Sequence, residues 1–329
     1  MVQPLRVGVV GAGDFGIRHA GVAAALPEID LVAVADPNPS RSELVRNRWS
    51  VPTCRDVHEL LREHAPEALV IATPQPLHLS DVTAAVTAGV HALVEKPIIA
   101  AGEEADELER LCAAHPQTVV MPAHVSRFLP SVATLRDRLV GERITAVRAI
   151  RVVPAERLDL HGGEHPALVA MVHDLDLVRA FVPSELRDVT SVQRWTDNSR
   201  PHPQIVLAHL TFADGTVASV ENYWTLPHSR QYIDARLEVT TDRSIGHVCV
   251  PGSGLRVVHS RGEDLPDIEL EATVAGLPVG ALATQLRHFA VCVRAGHESP
   301  VVNVEDALWA VRAAARIAAQ VPAGPAQVG

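Results

Sequence analysis

Lysine is almost absent from this chain of 329 residues, since Lys96 is the single lysine among 29 basic residues and the other 28 are arginines. Lysine is normally among the commonest residues, so its near-absence sets Lys96 apart. An arginine stays charged in proteins, whereas a lysine can lose its proton when it is buried or crowded by other charges. Lys96 therefore stands either where the protein needs a titratable amine or where a lysine has been retained by chance.

Cysteine and long apolar runs are also scarce, and each scarcity excludes a class of protein. Cys54, Cys112, Cys249 and Cys292 lie far apart and form no CxxC pair, which indicates a reducing cytosol. No apolar run approaches the roughly 20 residues of a membrane span. The sequence also opens without the charged region and long apolar stretch of a signal peptide. We therefore expect a cytoplasmic protein with no membrane partner.

The sequence also lacks a region of concentrated positive charge. The formal net charge is −10 and no arginine-rich block stands out, which argues against a nucleic-acid partner. Hydrophobic residues make up 47% of the chain and charged residues 21%, a globular rather than a disordered composition. The length predicts about two domains.

The first 120 residues or so alternate short apolar runs with segments of helical spacing. Buried strands are predicted at Leu5–Val10, Leu31–Ala35, Ala68–Ala72, His91–Val94 and Thr118–Met121. Helical segments are predicted at Arg41–Arg48, Leu77–Ala88 and Glu103–Ala114. Strands that alternate with helices predict an α/β domain with a parallel, doubly wound sheet, which we assign to residues 1–122.

The pattern changes after about residue 144 to strands with period-2 alternation. These strands are predicted at Ile144–Val153, Val189–Thr196, Ile205–Phe212, Thr216–Trp224, Ala235–Thr240 and Leu255–His259, with turns at Asp214-Gly215 and Pro251–Gly254. Helices are predicted at Val279–Ala295 and Val304–Gln320, and a disordered tail at Pro322–Gly329. We assign residues 123–329 to an α+β domain with an open mixed sheet and flanking helices. Its closing helix is a candidate to pack back onto the first domain.

A glycine-rich segment lies between the first strand and a helical run. It consists of Gly11, Ala12, Gly13, Asp14, Phe15 and Gly16. A G-x-G-x-x-G pattern is weak by itself, but in this strand–helix context it predicts a dinucleotide-binding turn. Gly11 would permit the turn, Gly13 would let a pyrophosphate approach, and Gly16 would let the helix pack on the strand. The alternative is a turn that binds nothing.

Asp36 follows the second strand, where an acid is expected to hydrogen-bond the adenosine ribose. Its carboxylate would repel a 2′-phosphate, which favours NAD over NADP. Arg41 lies close enough in sequence to soften this preference.

A third signal combines Thr73, Pro74 and His78 with Glu95-Lys96-Pro97. With the glycine-rich segment and Asp36, these residues make the sequence resemble the Gfo/Idh/MocA family of glucose–fructose oxidoreductases, inositol dehydrogenases and rhizopine-catabolism proteins. Looser matches continue through the rest of the chain, at Ala123–Phe128, Val172–Asp176 and Phe289 to Ala307.

The resemblance implies a Rossmann domain followed by an open-sheet domain that often mediates dimers, so a homodimer or homotetramer through that sheet is expected. It implies hydride transfer between a nicotinamide and a secondary alcohol or ketone of a sugar, amino sugar or cyclitol. It adds Thr73, Pro74, His78, Glu95 and Lys96 to the cofactor site and places Lys96 between nicotinamide and substrate, with a cis Lys-Pro peptide.

Acid–base chemistry independently suits Lys96 to this position. Alcohol oxidation needs a base near the hydroxyl group, and ketone reduction needs the same group as an acid. A lysine amine starts at a pKa near 10.4 and must fall to about 7 to serve near neutrality, at roughly 4 kcal/mol. Burial and the positive nicotinamide both act in that direction.

Further candidates lie in the second half. His173 and Asp176 share one face if Leu168–Phe181 is helical, and they either bind substrate hydroxyl groups, with His173 as the catalytic partner of Lys96, or only cap the helix. Many family members carry an aspartate four residues before this histidine, where this chain has Val169, and Glu164 is the candidate substitute.

His124 and Arg151 are further candidates for the substrate pocket. A metal site is not expected. His161 to His165 match the H-x-x-E-H pattern of zinc peptidases, but Gly162, Gly163 and the following proline argue against the helix which that chemistry requires.

The sequence thus predicts a dehydrogenase or reductase, and two other functions stay open. One is a catalytically silent sensor of NAD and sugar, which Val169 favours and Lys96 disfavours. The other is an NAD-dependent glycosidase that oxidises its substrate transiently.

Overall fold

The computed structural model describes residues 3–100, 102–155, 157–158, 164–226, 233–250, 255–260 and 262–320. The predicted turn at Pro251–Gly254 and the predicted tail at Pro322–Gly329 lie outside this part of the chain. The chain divides into two compact units, Met1–Phe128 with Leu270–Leu308, and Leu129–Glu269 with Trp309–Gly329. No helix among the described residues is long and apolar enough to cross a membrane.

The first unit contains the predicted parallel sheet. Its strands are β1 (Leu5–Val10), β2 (Ile29–Ala35), β3 (Thr53–Cys54), β4 (Ala68–Ile71), β5 (His91–Val94) and β6 (Val120–Pro122). The order across the sheet is β3-β2-β1-β4-β5-β6, and all neighbouring strands run parallel. The strand order reverses direction between β1 and β4, which creates a crevice at their carboxyl ends. The doubly wound Rossmann fold predicted for this part is confirmed.

Helices connect these strands and begin at identifiable caps. They are α1 (Asp14–Ala25), α2 (Pro39–Trp49), α3 (Val57–His64), α4 (His78–Thr87) and α5 (Glu103–Ala114). The Asn38 side chain accepts a hydrogen bond from the Ser40 N–H at 3.0 Å, and Pro39 stands at the first turn of α2. Asp56 caps α3 by accepting from the Glu59 N–H at 2.9 Å. Such caps satisfy N–H groups that a helix start leaves unpaired.

The first unit also includes residues from the C-terminal part of the chain, which the sequence assigned to the second domain. The hairpin β15 (Ala272–Val274) and β16 (Leu277–Val279) and the helix α8 (Ala281–Ala295) pack against α1. The start of α9 (Val304–Ala318) joins the core beneath the sheet, where Leu308 is fully buried. Arg127 anchors this start by donating to the Val301 carbonyl and to Asp306 Oδ2, both at 2.8 Å. These contacts join Leu270–Leu308 to the first unit.

The second unit is built on a mixed sheet. It contains α6 (Pro130–Arg138), β7 (Ile144–Pro154), α7 (Val172–Phe181), β8 (Leu186–Arg194), β9 (Ile205–Phe212), β10 (Val217–Leu226), β11 (Asp234–Thr241), β12 (Ile245–Val250), β13 (Val257–His259) and β14 (Gly262–Asp264). The main sheet has the order β12-β11-β7-β10-β9-β8, with β7 and β10 parallel and the other pairs antiparallel. Buried and less buried residues alternate along β9 and β10, as predicted for strands with one covered face. The predicted open mixed sheet is confirmed.

The contribution of α9 to the first unit can be tested by truncating Leu308. Leu308→Ala is expected to lower the free energy of unfolding by about 2–5 kcal/mol, because it removes buried methyl groups and leaves a cavity. Leu44→Ala on α2 is the matched control, since Leu44 is 49% exposed, and its cost should stay below about 1 kcal/mol. Urea denaturation of both variants measures the difference. Equal small losses would show that α9 does not contribute to this core.

Candidate active site

The glycine-rich turn has backbone geometry that requires glycine at two positions. Gly11 adopts φ +90°, and a Cβ there would lie 2.5 Å from the Ala72 carbonyl oxygen. A Cβ on Gly16 would overlap the carbonyl oxygen of Gly11. Helix α1 starts directly after Gly13, which makes no side-chain cap hydrogen bond. Its first N–H groups are therefore directed into the crevice, where an anionic phosphate would be stabilised.

A cavity of about 880 Å³ lies at the carboxyl ends of the parallel strands, within the first unit. The predicted cofactor residues that line it are Gly11, Gly13, Asp14, Phe15, Asp36, Arg41, Thr73, Pro74, His78, Glu95 and Lys96. Gly16 is buried next to Gly11, where it allows the turn to close. Residues from four separate loops thus meet on one surface.

Asp36 is fixed at the end of β2 by backbone donors. Its Oδ2 accepts from the Ala12 N–H at 2.7 Å and its Oδ1 from the Asn38 N–H at 2.8 Å. The Arg41 guanidinium lies 3.6 Å from Oδ2. The buried carboxylate is therefore both a part of the glycine-rich turn and a negative charge facing the cavity. Its position is the one expected for an acid that binds a ribose and repels a 2′-phosphate.

Glu95 is held as a buried carboxylate by a residue that the sequence analysis did not identify. His19 Nε2 lies 2.8 Å from Glu95 Oε1, and the Lys96 N–H donates to Oε2 at 3.1 Å. Desolvation acts to raise the pKa of Glu95, but the His19 hydrogen bond and the charges of His19 and Lys96 hold it below its ordinary value. His19 follows Gly16 by three residues and lies on the same buried face of α1. This spacing was the feature of the sequence that could have identified His19 as a buried polar residue.

The loops after β4 and β5 are connected through α4. His78 Nε2 lies 2.9 Å from the Thr73 carbonyl oxygen, and its Nδ1 lies 2.9 Å from the Pro97 carbonyl oxygen. The Thr73 hydroxyl donates to Asp81 Oδ2 at 2.7 Å. Burial raises the pKa of Asp81, while the Thr73 hydrogen bond and the charge of His78 oppose the rise. The Lys96–Pro97 peptide is cis, as the family resemblance implies.

His124 also belongs to the first unit. It is buried directly after β6, and the preceding Ala123 N–H donates to the Val94 carbonyl oxygen at 2.7 Å. This hydrogen bond places the backbone before His124 next to the end of β5, which continues into Glu95 and Lys96.

The other predicted substrate residues lie in the second unit. His173 and Asp176 are on α7, where His173 is half-buried and Asp176 is fully buried. Arg151, on β7, donates two hydrogen bonds to Asp174 at 2.9 Å each. Burial raises the pKa of Asp174, and the Arg151 guanidinium opposes that rise. Arg151 is thus engaged in a buried ion pair, whose acidic partner the sequence analysis did not identify.

The zinc-peptidase pattern does not form a metal site in the part that is described. His165 Nε2 lies 3.0 Å from Gln193 Oε1, and its Nδ1 accepts from the Ala167 N–H at 3.1 Å, so both ring nitrogens are engaged. Burial lowers the pKa of His165, which keeps the ring neutral. Residues 161–163 of the pattern lie outside the described residues, and Glu164 is exposed. The described residues contain no group of three or more potential ligands that could hold a metal ion.

Val169 lies in a short π-helical segment, Ala167–Met171, which leads into α7. It packs in a buried apolar cluster with Val153, Leu158, Ala170 and Trp224. An uncharged side chain in apolar surroundings neither transfers a proton nor binds a hydroxyl group. The position four residues before His173 therefore supplies packing in this chain.

Comparisons with known proteins agree with this geometry. The sequence model of a family described as "Oxidoreductase family, NAD-binding Rossmann fold", named GFO_IDH_MocA, matches residues 5–124. The scyllo-inositol 2-dehydrogenase (NAD(+)) of Bacillus subtilis is 27% identical over 93% of this chain and 91% of that protein. The UDP-N-acetylglucosamine 3-dehydrogenase of Acidithiobacillus ferrooxidans is 31% identical over 66% of each chain.

Solved structures extend the likeness across both units. A crystal form of the Acidithiobacillus enzyme superimposes with a TM-score of 0.80 and 25% identity, and covers 98% of both chains. The scyllo-inositol dehydrogenase of Lactobacillus casei, solved with NAD(H) and scyllo-inositol, has a TM-score of 0.79 over 95% of this chain and 96% of that one. At 19% identity it shows that the fold is shared.

The glycine-rich turn can be tested with two single-methyl additions. Gly16→Ala should lower both stability and NAD affinity, because the new Cβ collides with the turn itself. Gly13→Ala should leave the unfolding midpoint unchanged, because Gly13 has φ −70° and its Cβ would meet nothing closer than Arg41 at 3.9 Å. Its NAD affinity should still fall by about tenfold or more, since a methyl group there obstructs the approach of the pyrophosphate. Calorimetric titration with NAD and thermal unfolding measure the two effects separately. Unchanged NAD affinity in Gly13→Ala would contradict a pyrophosphate site at this turn.

Proposed function

The chain belongs to the Gfo/Idh/MocA family of NAD-binding Rossmann-fold oxidoreductases, and from this premise we propose how it transfers a hydride to or from a secondary alcohol. It is an NAD-dependent dehydrogenase that acts on CH–OH groups of sugar-like substrates. The relatives named above are dehydrogenases of inositols and of UDP-N-acetylglucosamine. We therefore propose a sugar, amino sugar or cyclitol ring as the substrate.

The described residues of the first unit fit an NAD molecule. The glycine-rich turn leaves open the space that a Cβ would fill, and the first turn of α1 directs N–H groups to the position of a pyrophosphate. We assign the ribose contact to Asp36 and the nicotinamide end to Thr73, Pro74, Glu95 and Lys96. When bound there, NAD supplies the nicotinamide carbon that accepts or donates the hydride.

Lys96 is the proposed general acid and base. The observation that carries this proposal is that the single lysine of the chain lines the same cavity as the glycine-rich turn and Asp36. In alcohol oxidation, Nζ takes the proton of the reacting hydroxyl group while the carbon loses its hydride. In the reverse direction, Nζ returns the proton to the forming hydroxyl oxygen. An arginine could not serve, because it does not lose its proton in proteins.

Substrate contacts are proposed for the second unit and for His124. His173 would hydrogen-bond the reacting hydroxyl group as the catalytic partner of Lys96, and Asp176 a neighbouring hydroxyl group. Glu164 is exposed and able to bind a further hydroxyl group. Arg151 would act mainly through Asp174, which it holds on α7.

A homodimer or homotetramer through the sheet of the second unit completes the proposal. The large apolar side chains of Val192 on β8, Val217 on β10 and Ile245 on β12 are 63%, 47% and 56% exposed. Apolar side chains on an open sheet favour association with another surface.

Replacement of Lys96 tests the proposed chemistry. Lys96→Met and Lys96→Arg should each lower kcat by about 10²–10⁴-fold, because neither side chain exchanges a proton near neutral pH. The dissociation constant of NAD should change by less than about fivefold, or 1 kcal/mol. The assay follows NADH absorbance with a panel of inositols, sugars and amino sugars. Near-full turnover in Lys96→Arg would exclude Lys96 as the proton carrier.

The same assay separates the other functions that the sequence leaves open. NAD binding without turnover across a broad panel would favour a sensor over an enzyme. Release of a sugar without net NADH formation would favour a glycosidase that oxidises its substrate transiently. Net NADH formation supports the proposed dehydrogenase.

Removal of the Asp36 charge tests the basis of the NAD preference. Asp36→Asn should raise the ratio of kcat/KM with NADP to kcat/KM with NAD by about tenfold or more, because the carboxylate no longer repels the 2′-phosphate. Adding Arg41→Ala to this variant should reverse much of the gain, since Arg41 lies beside Asp36 and supplies a positive charge. Steady-state kinetics with both cofactors give the ratio. An unchanged ratio in Asp36→Asn would show that the preference arises elsewhere.

A further inference from the structure

We propose that His78 is a positioning residue that acts as a doubly protonated imidazole and fixes the peptide that carries Lys96. It ties the loop after β4 to the loop after β5. This inference rests on the proposed role of Lys96 in proton transfer. It assigns His78 to the support of the reacting group, rather than to direct contact with the cofactor.

The two acceptors around the ring carry the argument. Nδ1 lies 2.9 Å from the carbonyl oxygen of Pro97, and Nε2 lies 2.9 Å from the carbonyl oxygen of Thr73. A carbonyl oxygen only accepts hydrogen bonds, and a neutral imidazole has a single N–H group. A neutral ring would therefore turn one nitrogen lone pair toward a carbonyl oxygen. Only the form with hydrogen on both nitrogens makes both contacts attractive.

Burial makes this distinction matter, because His78 is 1% exposed and water cannot readily replace a missing partner. A buried cation also requires a compensating charge. Asp81 follows His78 by three residues on α4, on the same face of the helix, and is also buried. The Thr73 hydroxyl donates to Asp81, so Thr73 is bound to α4 through both its side chain and its carbonyl group.

Other titratable groups face the same region. The carboxylates that line the cavity with His78 and Asp81 are those of Asp14, Asp36, Asp56 and Glu95, and the cations are Arg41, Arg55 and Lys96. His58 at the start of α3 also acts on Asp81 through its charge. Among these groups, Asp81 shares α4 with His78, and the charges of the two side chains interact. The Asp81 carboxylate is therefore the charge that compensates for the burial of an imidazolium at His78.

The two hydrogen bonds of the His78 ring form a clamp between the loop after β4 and the loop after β5. The position of this clamp explains how His78 would fix Lys96. Thr73 comes shortly after β4, and Pro97 directly follows Lys96 after the neighbouring strand β5. The His78 ring spans the two loops where the parallel strands end. Loss of the Pro97 hydrogen bond would release the carbonyl one residue beyond Lys96. A displacement of about 1 Å at a reacting group can cost about 100-fold in rate.

A pair of amide variants distinguishes the two ends of the clamp. The amide nitrogen of asparagine comes close to the position of ring Nδ1, and that of glutamine close to ring Nε2. His78→Asn can therefore still donate to Pro97, whereas His78→Gln can still donate to Thr73. We expect kcat to fall by no more than about tenfold in His78→Asn and by about 100-fold in His78→Gln. The KM for NAD should stay within about threefold in both.

Equal losses of kcat in the two variants, or losses confined to KM, would overturn the positioning role. His297→Asn and His297→Gln provide the matched control, since His297 is exposed on the loop after α8. Both control variants should keep the kcat of the unmodified protein.

Nitrogen NMR of the histidine rings tests the protonation state without any assay of turnover. In the unmodified protein both ring nitrogens of His78 should carry hydrogen at neutral pH, and a neutral tautomer would overturn the proposal. If the variants fail to fold, this measurement decides alone. The outcome also separates the two proposals. Turnover that survives Lys96→Met would refute the role of Lys96, whereas a neutral His78 beside an essential Lys96 would refute only the clamp.

Discussion

The buried carboxylate of Glu95 is the interaction on which the arrangement of the first unit's cavity depends. It accepts hydrogen bonds from His19 on α1 and from the Lys96 backbone. Helix α1 begins at the glycine-rich turn, so a single carboxylate ties the glycine-rich end of the crevice to the end that carries Lys96. A buried charge that loses one partner costs several kcal/mol, about 3–5 kcal/mol in typical cases. The orientation of α1 and the course of the chain after β5 are therefore set together.

Asp36, at the end of β2, is a second buried carboxylate that joins two parts of the cavity. Its two oxygens accept from the Ala12 and Asn38 N–H groups, so the acid proposed to select the cofactor also holds the turn proposed to bind its phosphates. The cofactor preference and the shape of the turn are therefore linked. A substitution that changes the charge at Asp36 also removes one carboxylate oxygen that accepts a backbone N–H. For this reason the effect on the NADP-to-NAD ratio is more informative than the change in either efficiency alone.

Much of the fold could be predicted from local sequence pattern, and the limits follow from physics. The helix Glu103–Ala114 and the strand Ile205–Phe212 have the predicted bounds, because each shows its periodicity over its whole length. Strand β3 has two residues, too few for a periodic signal, and neither β3 nor the eight-residue helix α3 was predicted. Contacts with a distant sheet leave no local pattern in the sequence, which is why the grouping of the hairpin β15–β16 and of α8 with the first unit was not predicted.

The predicted site shows the same limit. Glycine spacing and the acid after β2 follow rules that operate within about 25 residues, and Gly11, Gly13 and Asp36 line one cavity. His19 acts on Glu95 across 76 positions of the chain, and the pairing of Arg151 with Asp174 depends on how α7 packs against β7. Such partners are set by tertiary contacts alone. A buried polar residue on an otherwise apolar helix face, such as His19 on α1, is the one local sign that they leave.

In the second unit, more of the candidate site residues are engaged in structural contacts than the sequence suggests. Asp174 neutralises Arg151, His165 has both nitrogens engaged, and Val169 is packed beside Trp224. These three positions are the arginine, the second histidine of the H-x-x-E-H pattern and the residue one turn before His173, and all three serve structural contacts. Among the candidates on this side, His173 and Asp176 keep the proposed substrate role, and neither has an acid at residue 169 to assist it. Proton transfer in the proposed reaction is accordingly concentrated on Lys96, at the one position where the chain has a side-chain amine.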